Sequence, residues 1–281
     1  MSDILKIDNI LGKTKNMIYR VGIELEGGWK KLPEGVRALV HDGSVHVELP
    51  VDEKLQERLN NLSYKINHAT SEAAVRAYRK EYARLQEELG IALHVGELPS
   101  DILEPTKFPL WMKQSYPQVV NNSCGMHVHM SFMNALNYQR LMIKEYPQTM
   151  VAYVTEWAKE ENLDKNHPIW PRLKGQSRYC QHKFAPDIQA TKVRKEYDQQ
   201  VEGNRYSVIN YCFNANGTME CRLLPMMDTV EQGIRAVQRV LDITNAALVV
   251  AAKTYKEEKL VSEVTADGLV GRLQEERTEY V

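Results

Sequence analysis

Cysteines, long apolar runs and an excess of charge of either sign are all scarce in this 281-residue sequence. The four cysteines show no CxxC spacing and are too few for a disulfide-rich scaffold, which favours a reducing cytoplasm. The longest apolar run, near residues 246–252, is about seven residues, against the roughly 18 that a membrane span needs. The net charge of −1 argues against a general nucleic-acid or membrane-surface binder. The first residues carry scattered charges and lack a signal-peptide core, so we expect a cytoplasmic protein.

The remaining composition is that of an ordinary globular protein, with 43% apolar and 26% charged residues. A chain of this length can bury one large core, and we predict a single domain over residues 1–281. Apolar residues recur at three- and four-residue spacing in two runs between about 51 and 90. This pattern predicts a charged helical hairpin inserted into the domain, either as a lid or as an assembly element of a homo-oligomer.

Alternating apolar and polar residues predict strands in several other segments. Residues 18–49 are expected to include a strand and a hairpin that turns at Asp42–Gly43. A capped apolar stripe predicts a long helix over 229–257. The predicted fold class is therefore α+β, with a curved, mainly antiparallel sheet whose outer face is covered by helices and whose concave face is polar.

The most informative pattern is the placing of charged or imidazole side chains on alternate residues of four predicted strands. Side chains at positions i and i+2 of a strand project from the same face, so each pair is expected on the polar face. The segments and their residues are GIELEGG with Glu24 and Glu26, VGELPS with Glu97, CGMHVHMSF with His127 and His129, and TMECRLLP with Glu220 and Arg222. If the strands share one sheet, that face holds a metal and phosphate site.

The mixture of residue types narrows the chemistry. Carboxylates are hard oxygen ligands suited to Mg²⁺ or Mn²⁺, and arginines bind phosphate oxygens through two parallel hydrogen bonds. Two histidines also permit a second hypothesis, a zinc-dependent hydrolase built on His127, His129 and glutamates. A third is a non-catalytic scaffold that keeps the fold, which the accumulation of like charges argues against.

Seven segments together resemble one known family. They are GIELEGGW, HDGSV, GELPSDIL, NSCGMHVHMSF, RYC at Arg178–Cys180, NRYSVIN and GTMECRLLP. Their order and content, over about residues 18–250, are similar to the amidoligase family of the glutamine synthetase and glutamate–cysteine ligase superfamily of carboxylate–amine ligases. The inserted helical hairpin departs from that pattern. The resemblance implies a glutamine-synthetase-like catalytic fold.

The resemblance also implies ligands for two divalent cations, Mg²⁺ or Mn²⁺. Glu24, His127 and Glu220 match positions that bind the metal bridging the phosphates of ATP. Glu26 and Glu97 match ligands of a second metal near the acceptor carboxylate.

Further roles follow from the same resemblance. His129 matches a position that contacts the nucleotide or substrate, and Arg205 and Arg222 match positions that stabilise the transferring phosphate. Arg178 is a further nucleotide contact by a shorter match. Asp42 is expected to serve its turn, with a substrate role as the alternative.

The implied reaction is an ATP-dependent ligation. ATP would phosphorylate the carboxylate of a small molecule or peptide, and an amine would displace phosphate from the acyl phosphate to give an amide. A carboxylate beside the second metal, for which Glu97 is the candidate, would take the amine proton.

Overall fold

The computed structural model describes residues 4–48, 53–88, 93–182, 206–212 and 217–257, and Arg205 lies outside them. The strands are β1 (Arg20–Trp29), β2 (His94–Pro99), β3 (Gly125–Ser131), β4 (Ile209–Asn210) and β5 (Met219–Pro225). The helices are α1 (Glu53–His68), α2 (Glu72–Glu88), α3 (Phe108–Ser115), α4 (Ala135–Leu141), α5 (Glu145–Glu160), α6 (Ile169–Leu173) and α7 (Val230–Glu257). This composition confirms the α+β prediction.

The strands form one antiparallel sheet in the order β2-β1-β3-β5-β4. In the register of this sheet, His129 on β3 lies opposite Glu220 on β5, and Asn210 on β4 also lies opposite Glu220. Every residue of β5 is buried, including Glu220 and Arg222. Glu220 and Arg222 are therefore charged side chains on a strand that is covered on both faces.

The chain divides into two compact units, and the first comprises Met1–Glu24, Pro99–Lys113 and Gly125–Val281. Its core includes alternate residues of β3, namely Met126, Val128 and Met130. Helix α7 begins after Thr229, whose hydroxyl accepts a hydrogen bond from the Gln232 amide. Its buried stripe packs against α5, and a hydrogen bond of 2.8 Å joins the hydroxyls of Tyr146 and Thr244 across the helix pair.

The second unit comprises Leu25–Leu98 and Gln114–Cys124. Helices α1 and α2 pair through a small apolar core of Leu59, Leu62 and Leu85, with Tyr78 and Tyr82 packed against it. These two helices occupy the segment in which the sequence predicts a helical hairpin. Within the described residues of the chain, no helix combines the length and apolarity needed to cross a lipid bilayer.

The predicted hairpin at Asp42–Gly43 is wrong, since residues 41–48 form a turn and irregular backbone instead of two paired strands. Val40 forms an isolated antiparallel bridge with Glu97 of β2, through backbone hydrogen bonds of 2.9 and 3.0 Å. A β-carbon at Gly96 would lie 2.5 Å from the Val40 carbonyl oxygen, so only glycine permits this approach. Pairing with a distant strand thus replaces the local hairpin.

Candidate metal centre

Residues from three strands and from distant parts of the sequence come together within the first unit. Glu24 comes from β1, His127 and His129 from β3, and Glu220 and Arg222 from β5. We call these five residues the histidine–glutamate cluster. The strand alternation expected from the sequence explains why members of one strand point to the same side.

Glu24 contacts both imidazoles of the cluster. Its Oε2 lies 3.0 Å from His127 Nδ1, and its Oε1 lies 2.9 Å from His129 Nε2. The His129 pair is close enough for an ion pair but is not aligned as a hydrogen bond, so His129 Nε2 has no hydrogen-bond partner among the described residues. A buried nitrogen in that position, close to a carboxylate oxygen, is suited to a shared cation.

Glu220 is buried and accepts from several donors. Arg222 Nη1 contacts its Oε1, and Asn210 Nδ2 donates a hydrogen bond of 2.8 Å to its Oε2. His127 Nδ1 lies 3.4 Å from Oε1. These charged and polar donors compensate the removal of a carboxylate from water.

Burial and neighbouring charge act in opposite directions on the pKa values of the cluster. Burial alone would lower the pKa of His129, but contacts with the Cys212 thiol and the Glu24 carboxylate outweigh it and raise the pKa to about 11. Burial would raise the pKa of Glu24, but His127 and His129 lower it well below its ordinary value. The pKa of Glu220 is also lowered, because Arg222 and the two histidines outweigh burial. Ionised carboxylates and a protonated His129 therefore stabilise one another.

Two residues that the sequence interpretation missed lie on the other side of the His129 ring. Thr218 Oγ1 is 3.1 Å from His129 Nδ1, and Cys212 Sγ is 3.4 Å from the same hydroxyl. Thr218 precedes Glu220 by two residues, so the alternation that selected Glu220 and Arg222 extends to it. Cys212 carries no comparable signal in the sequence.

A groove of about 470 Å³ opens beside Glu24 and His129, within the first unit. Its walls are largely apolar, with Val21, Ile23 and Ile102 among the lining residues. Hydroxyl groups also line it, from Ser100, Ser131 and Thr218. Arg20 lies in its wall with the guanidinium over the ring of Tyr19, 4.2 Å from the ring centroid. An apolar groove with a few polar groups that ends at a charged cluster is typical of a small-molecule site.

The second unit holds a separate group of carboxylates, Glu26, Asp42 and Glu97, which we call the carboxylate cluster. One oxygen from each lies within 4.8 Å of the others. Glu26 is buried, and the other two are half-buried. Asp42 also serves its turn, because its Oδ1 accepts a hydrogen bond of 2.7 Å from the Ser44 amide. The bridge between Val40 and Glu97 brings this turn to β2, which local sequence does not reveal.

The two predicted arginines that lie within the described residues, Arg178 and Arg222, differ in burial. Arg222 is nine-tenths buried and contacts Glu220, while Arg178 is exposed with its guanidinium over the Tyr179 ring. Another buried arginine, Arg172, was not predicted; it donates a hydrogen bond of 2.9 Å to the Arg222 carbonyl oxygen. Arg172 thereby supports the strand that carries Glu220 and Arg222.

The histidine–glutamate cluster has donor atoms suited to a divalent cation. Single ligand atoms from Glu24, His129 and Glu220 all lie within 4.8 Å of one another. Adjacent ligands of an octahedral Mg²⁺ with bonds of about 2.1 Å are roughly 3 Å apart, which is near the 2.9 Å between His129 Nε2 and Glu24 Oε1. Two carboxylates with an imidazole also suit Mn²⁺.

A scan of protein-family models, a search of curated proteins and a search of solved structures found no match to this chain. Function is therefore inferred from the side chains and their geometry.

Proposed function

We propose that this protein is an ATP-dependent carboxylate–amine ligase, an amidoligase with a glutamine-synthetase-like fold. The observation that carries the proposal is the convergence of Glu24, His129 and Glu220, whose ligand atoms lie within 4.8 Å of one another although the residues are far apart in sequence. Arg222 lies beside Glu220, and its guanidinium is a positively charged group of the kind that stabilises a transferring phosphoryl group. This combination of oxygen ligands, imidazole and guanidinium favours phosphoryl transfer from a metal-bound nucleotide.

The groove beside the cluster supports a nucleotide as one substrate. Its apolar walls suit a planar base, and its hydroxyl groups can hydrogen-bond to a ribose or base edge. Because Glu24 and His129 line the groove, the phosphates of a nucleotide bound there would reach the cluster. ATP with Mg²⁺ or Mn²⁺ is the cosubstrate that fits these features.

The proposed chemistry has two balanced steps. A carboxylate oxygen of the acid attacks the γ-phosphorus of ATP, and the bond to ADP breaks to leave an acyl phosphate. The amine nitrogen then attacks the carbonyl carbon, phosphate leaves, and the amine loses one proton. Divalent cations supply charge neutralisation on the phosphate oxygens when bound.

The chain's own residues have distinct parts in this proposal. Glu24 and Glu220 supply carboxylate ligands, together with an imidazole of β3, and Arg222 stabilises charge on the transferring phosphate. Arg205 has the same proposed role. Exclusion of water preserves the acyl phosphate, and the burial of Glu220 is consistent with such a site.

The carboxylate cluster is the proposed site of the second cation. Glu26 and Glu97 are its expected ligands, and the position of Asp42 adds a third carboxylate. Glu97 is also the proposed acceptor of the amine proton, because a half-buried carboxylate can exchange a proton with solvent after the reaction.

One observation favours a zinc-dependent hydrolase as the second candidate. His127 and His129 both contact Glu24, which gives two imidazoles and a carboxylate in one cluster. Tightly bound zinc, water as the second substrate and indifference to ATP would favour this alternative.

The test of the ligase proposal is nucleotide-linked stability followed by turnover. We expect MgATP to raise the melting temperature, since a ligand that binds only the folded state stabilises it. Pools of carboxylic acids and amines are then screened for ADP release, with products identified by mass spectrometry. Glu104→Gln, an exposed change at a surface ion pair with Lys107, is the matched control. Absence of any nucleotide-dependent shift and of ADP release would overturn the proposal.

A further inference from the structure

We infer that His129 is a ligand of the catalytic cation through Nε2, and that Thr218 is the positioning residue that holds its ring in the required tautomer. This inference rests on the proposed function, because it concerns the cation of that site. It goes further in two ways. It makes His129 a cation ligand, whereas the family resemblance implies that this residue contacts the nucleotide or substrate. It also gives a role to Thr218, for which the resemblance implies none.

The two nitrogens of His129 have different surroundings. Nε2 faces Glu24 Oε1 at 2.9 Å and lacks a hydrogen-bond partner among the described residues, whereas Nδ1 faces the Thr218 hydroxyl at 3.1 Å. The residue is nine-tenths buried, so water is poorly placed to replace either contact. The nitrogen that lacks a hydrogen bond is the one that faces the Glu24 carboxylate.

The hydrogen-bond direction follows from what a cation requires. A cation that takes the lone pair on Nε2 displaces one of the two ring protons of His129, which passes to solvent, so the one remaining ring proton must sit on Nδ1. Nδ1–H then donates to Thr218 Oγ1, and the threonine hydroxyl donates its own proton to Cys212 Sγ at 3.4 Å. Nδ1–H and the threonine hydroxyl each have an acceptor, and the lone pair of Nε2 is directed to the cation.

The backbone keeps the Thr218 hydroxyl in place. The Tyr138 hydroxyl donates a hydrogen bond of 2.6 Å to the Gly217 carbonyl oxygen and accepts one of 3.1 Å from the Phe132 amide. It thereby ties the start of β5 to the end of β3, the strand that carries His129. Outer hydrogen bonds of this kind orient a metal-binding histidine and raise its basicity.

The experiment compares Thr218→Val with Thr218→Ser in the full chain, using Mn²⁺ alone as the probe and electron paramagnetic resonance to count free Mn²⁺. Valine keeps the shape of threonine but removes the hydroxyl, and serine keeps the hydroxyl. We expect Thr218→Val to weaken Mn²⁺ binding by about 10- to 100-fold, the usual effect of losing such an outer partner. Thr218→Ser should bind Mn²⁺ nearly as tightly as the wild type.

Thr155→Val is the matched control, because the Thr155 hydroxyl also donates a hydrogen bond but to the Val151 carbonyl within α5. It should leave Mn²⁺ binding unchanged.

The spectroscopic test is ¹⁵N NMR of the Mg²⁺-loaded wild type, in which we expect the His129 ring proton on Nδ1. This measurement needs no variant and decides the tautomer even if Thr218→Val does not fold.

The outcomes separate this inference from the proposed function. Wild-type Mn²⁺ binding that Thr218→Val leaves unchanged, or a ring proton on Nε2 with Mg²⁺ bound, overturns the role of His129 and Thr218 but not the ligase. If Thr218→Val weakens Mn²⁺ binding but the wild type shows no ATP-dependent ligation, the inference is supported and the ligase proposal is overturned. A wild-type protein that binds no Mn²⁺ overturns both.

Discussion

The histidine–glutamate cluster and the carboxylate cluster differ in the kinds of side chain that they bring together. In the first, Glu24 and Glu220 contact imidazoles and a guanidinium, so opposite charges meet within the protein itself. In the second, one oxygen from each of three carboxylates lies within 4.8 Å of the other two. The comparison teaches that imidazole and guanidinium groups of the chain itself can compensate buried carboxylates, as in the first cluster, whereas a cation that reached all three oxygens of the second would stabilise three carboxylates at once.

The largest expected effect is that of Glu220→Gln in the first cluster. Glu220 is buried against Arg222 and Asn210, so the variant leaves a buried guanidinium without its carboxylate. We expect the free energy of unfolding to fall by about 3 kcal/mol in the presence of a chelator. Urea denaturation measures this change, and cation-dependent ADP formation should be lost in the same variant.

A stability equal to that of the wild type would mean that the Arg222–Glu220 pair contributes nothing to the folded state, which would remove the main contrast between the clusters. Full ADP formation would show that Glu220 is not a ligand. The Glu104→Gln variant controls for the loss of a carboxylate at an exposed ion pair.

Local pattern was sufficient to predict part of this site and not the rest. Alternation along a single strand is visible in sequence, so His127 and His129, or Glu220 and Arg222, could be assigned to one face. The helix over Val230–Glu257 was predictable for the same kind of reason, since an apolar stripe repeats along it.

The missed features depend on contacts between distant segments. The bridge from Val40 to Glu97 replaces the predicted hairpin and brings Asp42 to the carboxylate cluster. In the sequence, Thr218 and Cys212 are residues that flank strands and carry no sign of a role. Only the register of β5 places the Thr218 hydroxyl against His129 and near the Cys212 thiol. Tertiary pairing of this kind overrides local turn preference.

The pH dependence of stability offers a sharper comparison. The pKa of His129 is raised from an ordinary 6.5 to about 11, so its charged form stabilises the fold fully below pH 6.5. This contribution is lost as the pH rises towards about 11, because the unfolded chain releases the proton that the folded chain retains. In a chelator, the stability advantage of the wild type over His129→Gln should therefore shrink from pH 6.5 upward, by up to about 1.4 kcal/mol per pH unit.

Urea denaturation at several pH values, up to about pH 9, measures this difference. The difference between the wild type and the variant reports the titration of His129 together with its effect on Glu24 and Glu220. An advantage that stays constant or grows with rising pH would show that His129 is not held protonated by Glu24 and Glu220, and the first cluster would then not balance its own charge.

The smallest expected effect is that of Glu97→Gln in the carboxylate cluster, and it concerns the response of stability to a cation. Glu97 supplies one of three carboxylate oxygens that lie within 4.8 Å of one another, and a cation that binds only the folded protein stabilises it. Added Mg²⁺ should therefore raise the melting temperature of the wild type more than that of the variant, because the variant has lost a ligand. Thermal unfolding of both proteins with chelator and with Mg²⁺ measures the two shifts, and Glu104→Gln is the control. Equal shifts in Glu97→Gln and in the wild type would show that Glu97 does not bind the cation.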